Sequence, residues 1–378
     1  VSTPAAPGLA GRHSSGEPTA AMRSPDTRTA SARGLSESMV MTVLAVIIRS
    51  DMWAVHHVVV SAGLIAGRRS RAAGIVVGHV ADRVVGDPSR GHPVAGFGWC
   101  ADRLERFTYR DSRIAGVLHT GTLVAATLLI GGTTVLAVGA ATWVSLGGRS
   151  LAGAGERLAD LLDDDRVGDA RELLPALCGR DPSVLDADGL ARAGLESVAE
   201  NTSDAHVAPL FWASVGGVRG VLAYRAVNTL DAMIGNRSPR YVRFGWAAAR
   251  LDDVANYLPA RLTGALVVLC APAVGGSPLA VIRAWRRDAA RHPSPNAGVV
   301  EAAFAGALGV RLGGPTQYRH ELEIRPTLGD GRLPGVDDLR RAVRLSRMVQ
   351  TFAAVLAAGI PLGLSVVGRI GRRACLRR

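Results

Sequence analysis

The 378-residue sequence contains no lysine, so all 44 of its Lys and Arg side chains are arginine. Aromatic residues make up only 4%, and no basic stripe is interleaved with them, which excludes the usual surface of a nucleic-acid-binding protein. The formal net charge is nevertheless +12. Two explanations of the arginine excess remain: codon bias in a GC-rich genome, or arginines that flank membrane helices on their cytoplasmic side and bind anionic substrates.

Cysteine is also scarce and carries no recognisable pattern. The four cysteines are isolated in the chain, which excludes a paired zinc motif and a disulfide framework. The sequence contains no Walker-type phosphate loop and no dinucleotide-binding glycine fingerprint. Any nucleotide must therefore be bound by another kind of site.

The apolar residues, 48% of the chain, are mainly Ala, Val, Leu and Gly. Small residues of this kind let membrane helices pack closely. Three stretches without fixed charge are long enough to cross about 30 Å of hydrocarbon: residues 114–148, 262–282 and 348–368. Two shorter apolar runs, 72–81 and 205–218, adjoin acidic motifs and resemble re-entrant or interfacial segments.

These patterns predict an all-α, polytopic integral membrane protein with re-entrant or interfacial helices and helical polar loops, and no segment alternates strongly enough to predict a sheet. We expect residues 1–38 to be a disordered extension, because they contain almost no large apolar side chains. Residues 39–71 are an uncertain apolar extension, either an extra membrane helix or translated upstream sequence, and Met39 is one candidate for the start of the protein. The membrane-embedded domain is predicted at 72–368, followed by a basic tail at 369–378.

The segment LESVAENTSD contains a regularly spaced row of acids. Glu196, Glu200 and Asp204 fall at positions i, i+4 and i+8, so a continuous helix would align three carboxylates along one face. A bound cation would relieve their repulsion, and Asn201 would add a neutral oxygen. The competing interpretation is an exposed helix face on which Arg192 is the partner.

Two further clusters combine acids with amides. Asn228 and Asp231 lie in apolar surroundings, where an ionised carboxylate at membrane depth costs about 3 kcal/mol and therefore points to a function. Asp252, Asp253 and Asn256 follow at helical spacing. Carboxylate and amide oxygens are ligands for Mg²⁺.

The loop between these clusters supplies guanidinium groups, which bind phosphate through paired hydrogen bonds. Its arginines are Arg237, Arg240 and Arg243, and Arg250 follows in the next helix. Together, the acids and arginines predict a site for a metal ion and a polyphosphate.

Two histidine motifs are held by prolines. DRVVGDPSRGHP contains Asp87 and His92, and RHPSPNAG contains His292 and Asn296. Proline restricts the backbone of each loop, so that either histidine could act as a general base. Each could equally be an ordinary turn residue.

Four long segments resemble a known family: GDPSRGHPV, GRDPSVLDADGLARAGLESVAENTSDAHVAPLFWASVGG, YRAVNTLDAMIGNRSPRYVRFGWAAARLDDVANYLPARL and HPSPNAGVVEAAFAGALGVRLGGPTQY. They are similar, in this order, to the cobalamin-biosynthesis CobD/CbiB family of adenosylcobinamide-phosphate synthases. The resemblance spans residues 72–368. The chain departs from the family pattern at Ala205 and His206, usually Gly-Val, at Val300, usually Pro, and after Tyr318, usually followed by glycine.

The resemblance implies a multi-pass enzyme of the bacterial plasma membrane, with its active-site loops in the cytoplasm. It also implies an ATP-dependent reaction that joins aminopropanol, or more probably its phosphate, to the propionate of adenosylcobyric acid through an amide bond. ATP is then a co-substrate, Mg²⁺ the expected metal, and other late corrin-pathway membrane enzymes are possible partners.

Residue roles follow as hypotheses from the clusters. The predicted metal ligands are Glu196, Glu200, Asp204 and Asp231. The predicted catalytic residues are Asp252, Asp253, His292, His92 and Asp87. The predicted substrate-binding and phosphate-binding residues are Arg237, Arg240, Arg250, Asn228, Asn256, Asn296 and Asn201.

Two other functions are compatible with these residues. An intramembrane prenyl or phospho-transferase also combines acid-rich helices with Mg²⁺ and a diphosphate, but it would need no ATP. A non-enzymatic scaffold for late corrin enzymes would account for residence in the membrane but not for the clustered acids.

Overall fold

The structure is a computed structural model that describes residues 68–88, 91–236, 238–317 and 322–375. The predictions for residues 1–67 and for Arg237 lie outside this part of the chain. The first half of the described chain consists of helices α1 to α7: Arg68–Val84, Pro93–Thr108, Arg113–Leu129, Val135–Ser145, Gly148–Asp163, Val167–Leu173 and Ala187–Thr202.

A five-residue π-helical turn, Ser203–Val207, joins α7 to the next helix. Helices α8 to α14 are Ala208–Ile234, Tyr241–Phe244, Trp246–Ala255, Tyr257–Cys270, Pro278–Asp288, Ala297–Leu308 and Val336–Cys375. Short 3₁₀ turns lie at Leu174–Ala176, Pro182–Val184, Ala271–Val274 and Ala289–Arg291. The helical class predicted from the sequence is confirmed.

Within the residues that the structure describes, four helical segments are long and apolar enough to cross a membrane: Val135–Asp163, Ala187–Ile234, Tyr257–Val274 and Val336–Gly363. The protein is thus an all-α polytopic membrane protein. The segment Ala187–Ile234 has 48 residues, more than twice the roughly 20 that one crossing requires. Its π-helical turn and a kink at Gly217, where φ is 60°, divide this long segment.

Two of the predicted spans have different boundaries in the structure. The stretch 114–148 is not one helix, because α3 ends at Leu129 and α4 begins at Val135 after a break that contains Gly131 and Gly132. The stretch 262–282 is interrupted at Gly275, which adopts a left-handed conformation with φ of 75° before α12 begins. Glycines stop both helices, since their backbone freedom permits the break. The third span, 348–368, lies within α14 as predicted.

A β-hairpin is the one clear departure from the predicted absence of a sheet. Strands β1, Leu312–Gln317, and β2, Leu322–Leu328, pair in antiparallel fashion. Gly313 and Gly314 have φ of 81° and 86°, so the strand carries glycines where a regular strand would have side chains. The hairpin escaped prediction because these glycines remove the alternation that marks a strand.

Close backbone contacts hold the helices around the site together. Helix α8 packs against α3, α4 and α10, and α14 packs against α1, α5 and α7. At Gly116 of α3, a Cβ atom would overlap the carbonyl oxygen of Phe244. A Cβ on Gly245 would overlap the carbonyl oxygen of Ile234 in the same way. Small residues therefore set the distance between the elements that carry the polar side chains.

Candidate active site

Four carboxylates from four different elements lie close together, and we call this group the acidic crevice: Glu200 of α7, Asp204 of the π-helical turn, Asp231 of α8 and Asp252 of α10. Asp204 is within electrostatic range of the other three carboxyl groups. Asp231 is likewise within range of Asp252 and Glu200. The structure thus brings together three predicted metal ligands and one predicted catalytic residue.

Glu200, Asp204 and Asp231 are half-buried residues. Within the described residues, no donor forms a hydrogen bond or an ion pair with any of these three side chains. Like charges in such proximity repel one another unless a cation or a proton relieves them. The group is therefore arranged to receive a positively charged ligand.

Amide side chains hold Asp252 in place. Its carboxylate accepts hydrogen bonds from Asn256 at 3.0 Å and from Asn228 at 3.4 Å. Tyr224 donates to the Asn256 side chain at 2.9 Å and also reaches the backbone oxygen of Asp204 at 2.8 Å. Burial raises the pKa of Asp252 to about 6, against the opposing effect of these two amides. Asp252 can therefore exchange a proton near neutral pH.

The arginine nearest the crevice was not among the predicted residues. Arg225 donates to Asn228 at 3.2 Å and lies within electrostatic range of Asp204 and Asp87. It occurs one helical turn before Asn228 and two before Asp231, so the helical period places it beside them. Asp87 belongs to the same neighbourhood, and its carboxylate lies 3.9 Å from Nε2 of His92.

The predicted phosphate-binding arginines have other partners. Arg240 forms an ion pair with Glu105 at 2.8 Å and lies over the ring of Tyr109. Arg250 forms an ion pair with Asp253 at 3.0 Å. Both guanidinium groups are more than half exposed, and their ion pairs are with these acids instead of with the carboxylates of the acidic crevice.

Glu196 lies one helical turn from Glu200, as predicted, but its carboxylate has partners of its own. Its carboxylate forms an ion pair with Arg180 and accepts a hydrogen bond from the backbone N–H of Gly313 at 2.8 Å. Both partners come from outside α7, and both side chains of the ion pair are almost fully buried. Because these contacts occupy both of its oxygens, Glu196 anchors the hairpin to α7, and we omit it from the proposed metal ligands.

A second group of charges, the Glu301 cluster, adjoins Glu196. Glu301 of α13 lies 3.8 Å from Nε2 of His292 and 3.7 Å from the guanidinium of Arg325. Arg325 and Arg180 are within electrostatic range of Glu200. The Glu301 cluster and the acidic crevice therefore meet at Glu200, which relates both of them to one site.

Comparison with known proteins decides the family. The model of the CobD/Cbib protein family matches residues 75–346, well over half of the chain. The chain belongs to the CobD/Cbib family. This result confirms the resemblance on which the functional expectation rests.

Curated members of the CobD/Cbib family match the chain over most of their length. A cobalamin biosynthesis protein CobD of Mycobacterium tuberculosis is 65% identical over 298 residues, which cover 76% of this chain and 95% of that protein. A protein of the same name from Chromobacterium violaceum is 42% identical, covering 75% and 95% of the two chains. One from Rhodobacter capsulatus is 44% identical, covering 68% and 85%. No solved structure matches the chain.

In this CobD/Cbib member, several predicted site residues also hold the backbone in place. Asn296 donates to the backbone oxygen of Asp253 at 2.7 Å and accepts from Arg261 at 2.8 Å, so it ties α13 to α10 and α11. His92 caps α2 by accepting a hydrogen bond from Val94 at 3.1 Å. Asn201 donates to the backbone oxygen of Ser197 at 3.0 Å. These hydrogen bonds give each of the three residues a structural role, which is compatible with a second role at the site.

A buried chain of polar groups was missed entirely. His79 and His206 are 3.1 Å apart through Nδ1 and Nε2, and Nδ1 of His206 lies 3.8 Å from Asp82. His206 and Asp82 are fully buried. His206 lies more than a hundred positions from His79 and Asp82, so no local spacing could have predicted that it joins them.

Magnesium fits the crevice through its donor chemistry. In the described part of the chain, no three His, Cys, Asp or Glu side chains form a group that could hold a metal ion by themselves. Mg²⁺ usually keeps several waters and is held by one or two carboxylates together with substrate phosphates. One or two of the carboxylates of Glu200, Asp204 and Asp231 could serve in this way only together with a phosphate substrate.

Proposed function

We propose that this protein catalyses the ATP-dependent joining of aminopropanol, in its phosphorylated form, to the propionate of adenosylcobyric acid. Family membership supports a role in cobalamin biosynthesis. The observation that carries the finer proposal is the acidic crevice, in which three carboxylates have no hydrogen-bond donor among the described residues. Two of them lie within electrostatic range of arginines, Glu200 of Arg180 and Arg325, and Asp204 of Arg225. Such an arrangement suits a metal–nucleotide substrate better than it suits a structural role.

A carboxylate is a poor electrophile, so amide formation requires its activation. Transfer of the γ-phosphoryl group of ATP to the propionate would give an acyl phosphate, with ADP as the leaving group. One or two of the carboxylates of Glu200, Asp204 and Asp231, together with the nucleotide phosphates, would hold Mg²⁺, which would screen the charge of those phosphates. Arg225 lies beside Asp204 and is placed to balance charge that develops on the transferring group.

Three of the predicted proton acceptors differ in their surroundings. Asp253 is paired with Arg250, which favours its charged form and makes it a weak base. Asp252 has a pKa raised to about 6 and is held by two amides. Burial lowers the pKa of His292, so its ring is neutral at pH 7, and its Nε2 atom has no hydrogen-bond partner within the described residues. His292 and Asp252 are therefore the better general bases.

The decisive experiment is reconstitution of the purified protein in lipid nanodiscs with adenosylcobyric acid, ATP and Mg²⁺, and with either aminopropanol or its phosphate. We expect a conjugate detectable by mass spectrometry, formed together with ADP. Glu200→Gln and Asp231→Asn should abolish it. Asp102→Asn is the matched control, because Asp102 forms an exposed ion pair with Arg106 on the surface of α2.

Each alternative function makes a different prediction in the same assay. A prenyl or phospho-transferase would form product from an isoprenyl diphosphate without ATP. A scaffold would form no product alone, and its support of cobalamin synthesis in cells would survive substitution of the acidic crevice. Normal conjugation by Glu200→Gln and Asp231→Asn would remove the metal–nucleotide role from these residues.

A further inference from the structure

Glu301 is a buried carboxylate that the protein leaves without a hydrogen-bond donor. Its side chain is 1% exposed, and neither oxygen has a hydrogen-bond partner within the described residues. His292 and Arg325 approach one oxygen at 3.8 Å and 3.7 Å, close enough for electrostatic attraction but beyond hydrogen-bond distance.

Other buried carboxylates of this protein accept several hydrogen bonds. Buried Asp288 accepts hydrogen bonds from Arg287 and from the backbone N–H of Gly329. Buried Asp338 accepts from Arg332, Arg341 and the backbone N–H of Gly335. A buried carboxylate without donors is costly, so the open oxygens of Glu301 mark a place where a ligand can supply them.

The surroundings of Glu301 specify the charge of that ligand. Its carboxyl lies within electrostatic range of Glu196 and Glu200, and burial and these two acids raise its pKa against the opposing effect of Arg325 and Arg180. A cation would relieve this crowding, whereas an anion would increase it. An ammonium group carries one positive charge and three N–H donors, which matches a site with unfilled acceptors.

Glu301 also has an electrostatic connection to the acidic crevice. Glu200 is half-buried and lies within electrostatic range of Glu301. Two contacts link the hairpin to this group: Arg325 of β2 lies 3.7 Å from Glu301, and the backbone N–H of Gly313 in β1 donates a hydrogen bond to Glu196. A ligand bound at Glu301 would therefore lie near the acidic crevice.

We propose that Glu301 binds the ammonium group of the amine substrate and, together with His292, accepts the proton that this group must lose before it attacks. This inference rests on the proposed function. It adds a catalytic residue and assigns the amine to a subsite separate from the nucleotide.

In the proposed reaction the amine substrate loses two protons, and each has a defined acceptor. The ammonium first loses one proton to Nε2 of His292 or to Glu301, which gives a neutral amine. The amine nitrogen then attacks the carbonyl carbon of the acyl phosphate, so that a C–N bond forms and the C–O bond to phosphate breaks. The nitrogen loses its second proton to the departing phosphate, and the products are the amide and inorganic phosphate.

Glu301→Gln tests the proposal, because glutamine keeps the size of the side chain and removes its charge. We expect the KM for the amine to rise about 10- to 100-fold, the loss typical of one charge-assisted hydrogen bond. Hydroxylamine, which is small and mostly uncharged at pH 7.5, should still trap the activated propionate as a hydroxamate at a rate within about 2-fold of wild type. An amine KM within 2-fold of wild type would overturn the proposal.

The controls separate this proposal from the proposed function. Glu323→Gln removes another acid near Arg325, at 3.8 Å, and should leave the amine KM unchanged. If wild type forms neither conjugate nor hydroxamate, the proposed function fails. If wild type forms both and Glu301→Gln matches it, only the role of Glu301 fails.

A binding measurement decides the case if Glu301→Gln does not fold. The phosphorylated amine should raise the melting temperature of the wild-type protein more than propan-2-yl phosphate does, because the latter lacks the ammonium. Glu301→Asp, which keeps the charge on a shorter side chain, should retain part of this difference. Equal stabilisation by the two compounds in both proteins would overturn the proposal.

Discussion

Replacing Glu196 tests whether this residue is a structural anchor or a metal ligand. The side chains of Glu196 and Arg180 form an ion pair and are only 2% and 6% exposed, so Glu196→Gln would remove the carboxylate from a buried guanidinium. Removing one partner of a buried ion pair typically costs about 3–5 kcal/mol. At roughly 2–4 °C per kcal/mol for a chain of a few hundred residues, the melting temperature should fall by about 6–20 °C.

The assay is thermal unfolding of the purified protein in detergent, measured in parallel with Mg²⁺-dependent stabilisation. Glu156→Gln is the matched control, because Glu156 forms an ion pair with Arg347 in which both partners are more than 40% exposed. Exposed pairs contribute about 0–1 kcal/mol, so its melting temperature should hardly change. The double variant Arg180→Met/Glu196→Gln should be more stable than either single variant, since it leaves no unpaired charge.

Either of two results would contradict the anchoring role of Glu196. If Glu196→Gln melts like wild type but loses the response to Mg²⁺, Glu196 is a metal ligand and the anchoring role is wrong. If the double variant is as unstable as the sum of the two single variants, the ion pair is not the source of the effect.

Three more outcomes are expected. Glu200→Gln and Asp231→Asn should keep the wild-type melting temperature, because no described residue forms a hydrogen bond with either side chain. Their conjugation rate, measured by mass spectrometry, should nevertheless fall at least about 100-fold. Retained activity would contradict this prediction. Mg²⁺-dependent activity should fall as the pH drops through about 6, where Asp252 takes up a proton, and Asp252→Asn should lose this pH-dependent step. The same residue affects stability in the opposite direction, because its folded pKa exceeds the unfolded value of 3.8. Its contribution to the free energy of unfolding should therefore decrease as the pH rises from about 4 to about 6. Gly116→Ala should lower stability by about 1–3 kcal/mol in thermal unfolding, because its Cβ would overlap the Phe244 carbonyl, whereas Gly121→Ala on the same helix, with nothing within 4 Å, should not.

The helical period accounts for much of what could be predicted about the site. Asn228 and Asp231 of α8 do lie on one side of their helix, and Asp252 and Asn256 are bonded to each other across one turn. The helical class and the membrane character followed from the apolar stretches in the same way. Local spacing determines which side chains are neighbours on one helix, and that part of the geometry needs no tertiary information.

Spacing gave no indication of partners that come from distant elements. Glu196 has the same period as Glu200, yet its carboxylate is bonded to Arg180 and to the hairpin. The π-helical turn that begins at Ser203 alters the helical period at Asp204. Neither the donor nor the turn leaves a mark in the local pattern.

The sequence by itself determined that this chain builds apolar helices with acids and amides at helical intervals, because composition and period act locally along the chain. Only the tertiary structure decided which of these acids are left open. A carboxylate becomes an anchor or a ligand-binding group according to whether a donor from another element reaches it. Arg180 reaches Glu196, and none reaches Glu301 within hydrogen-bond distance in the described part of the chain.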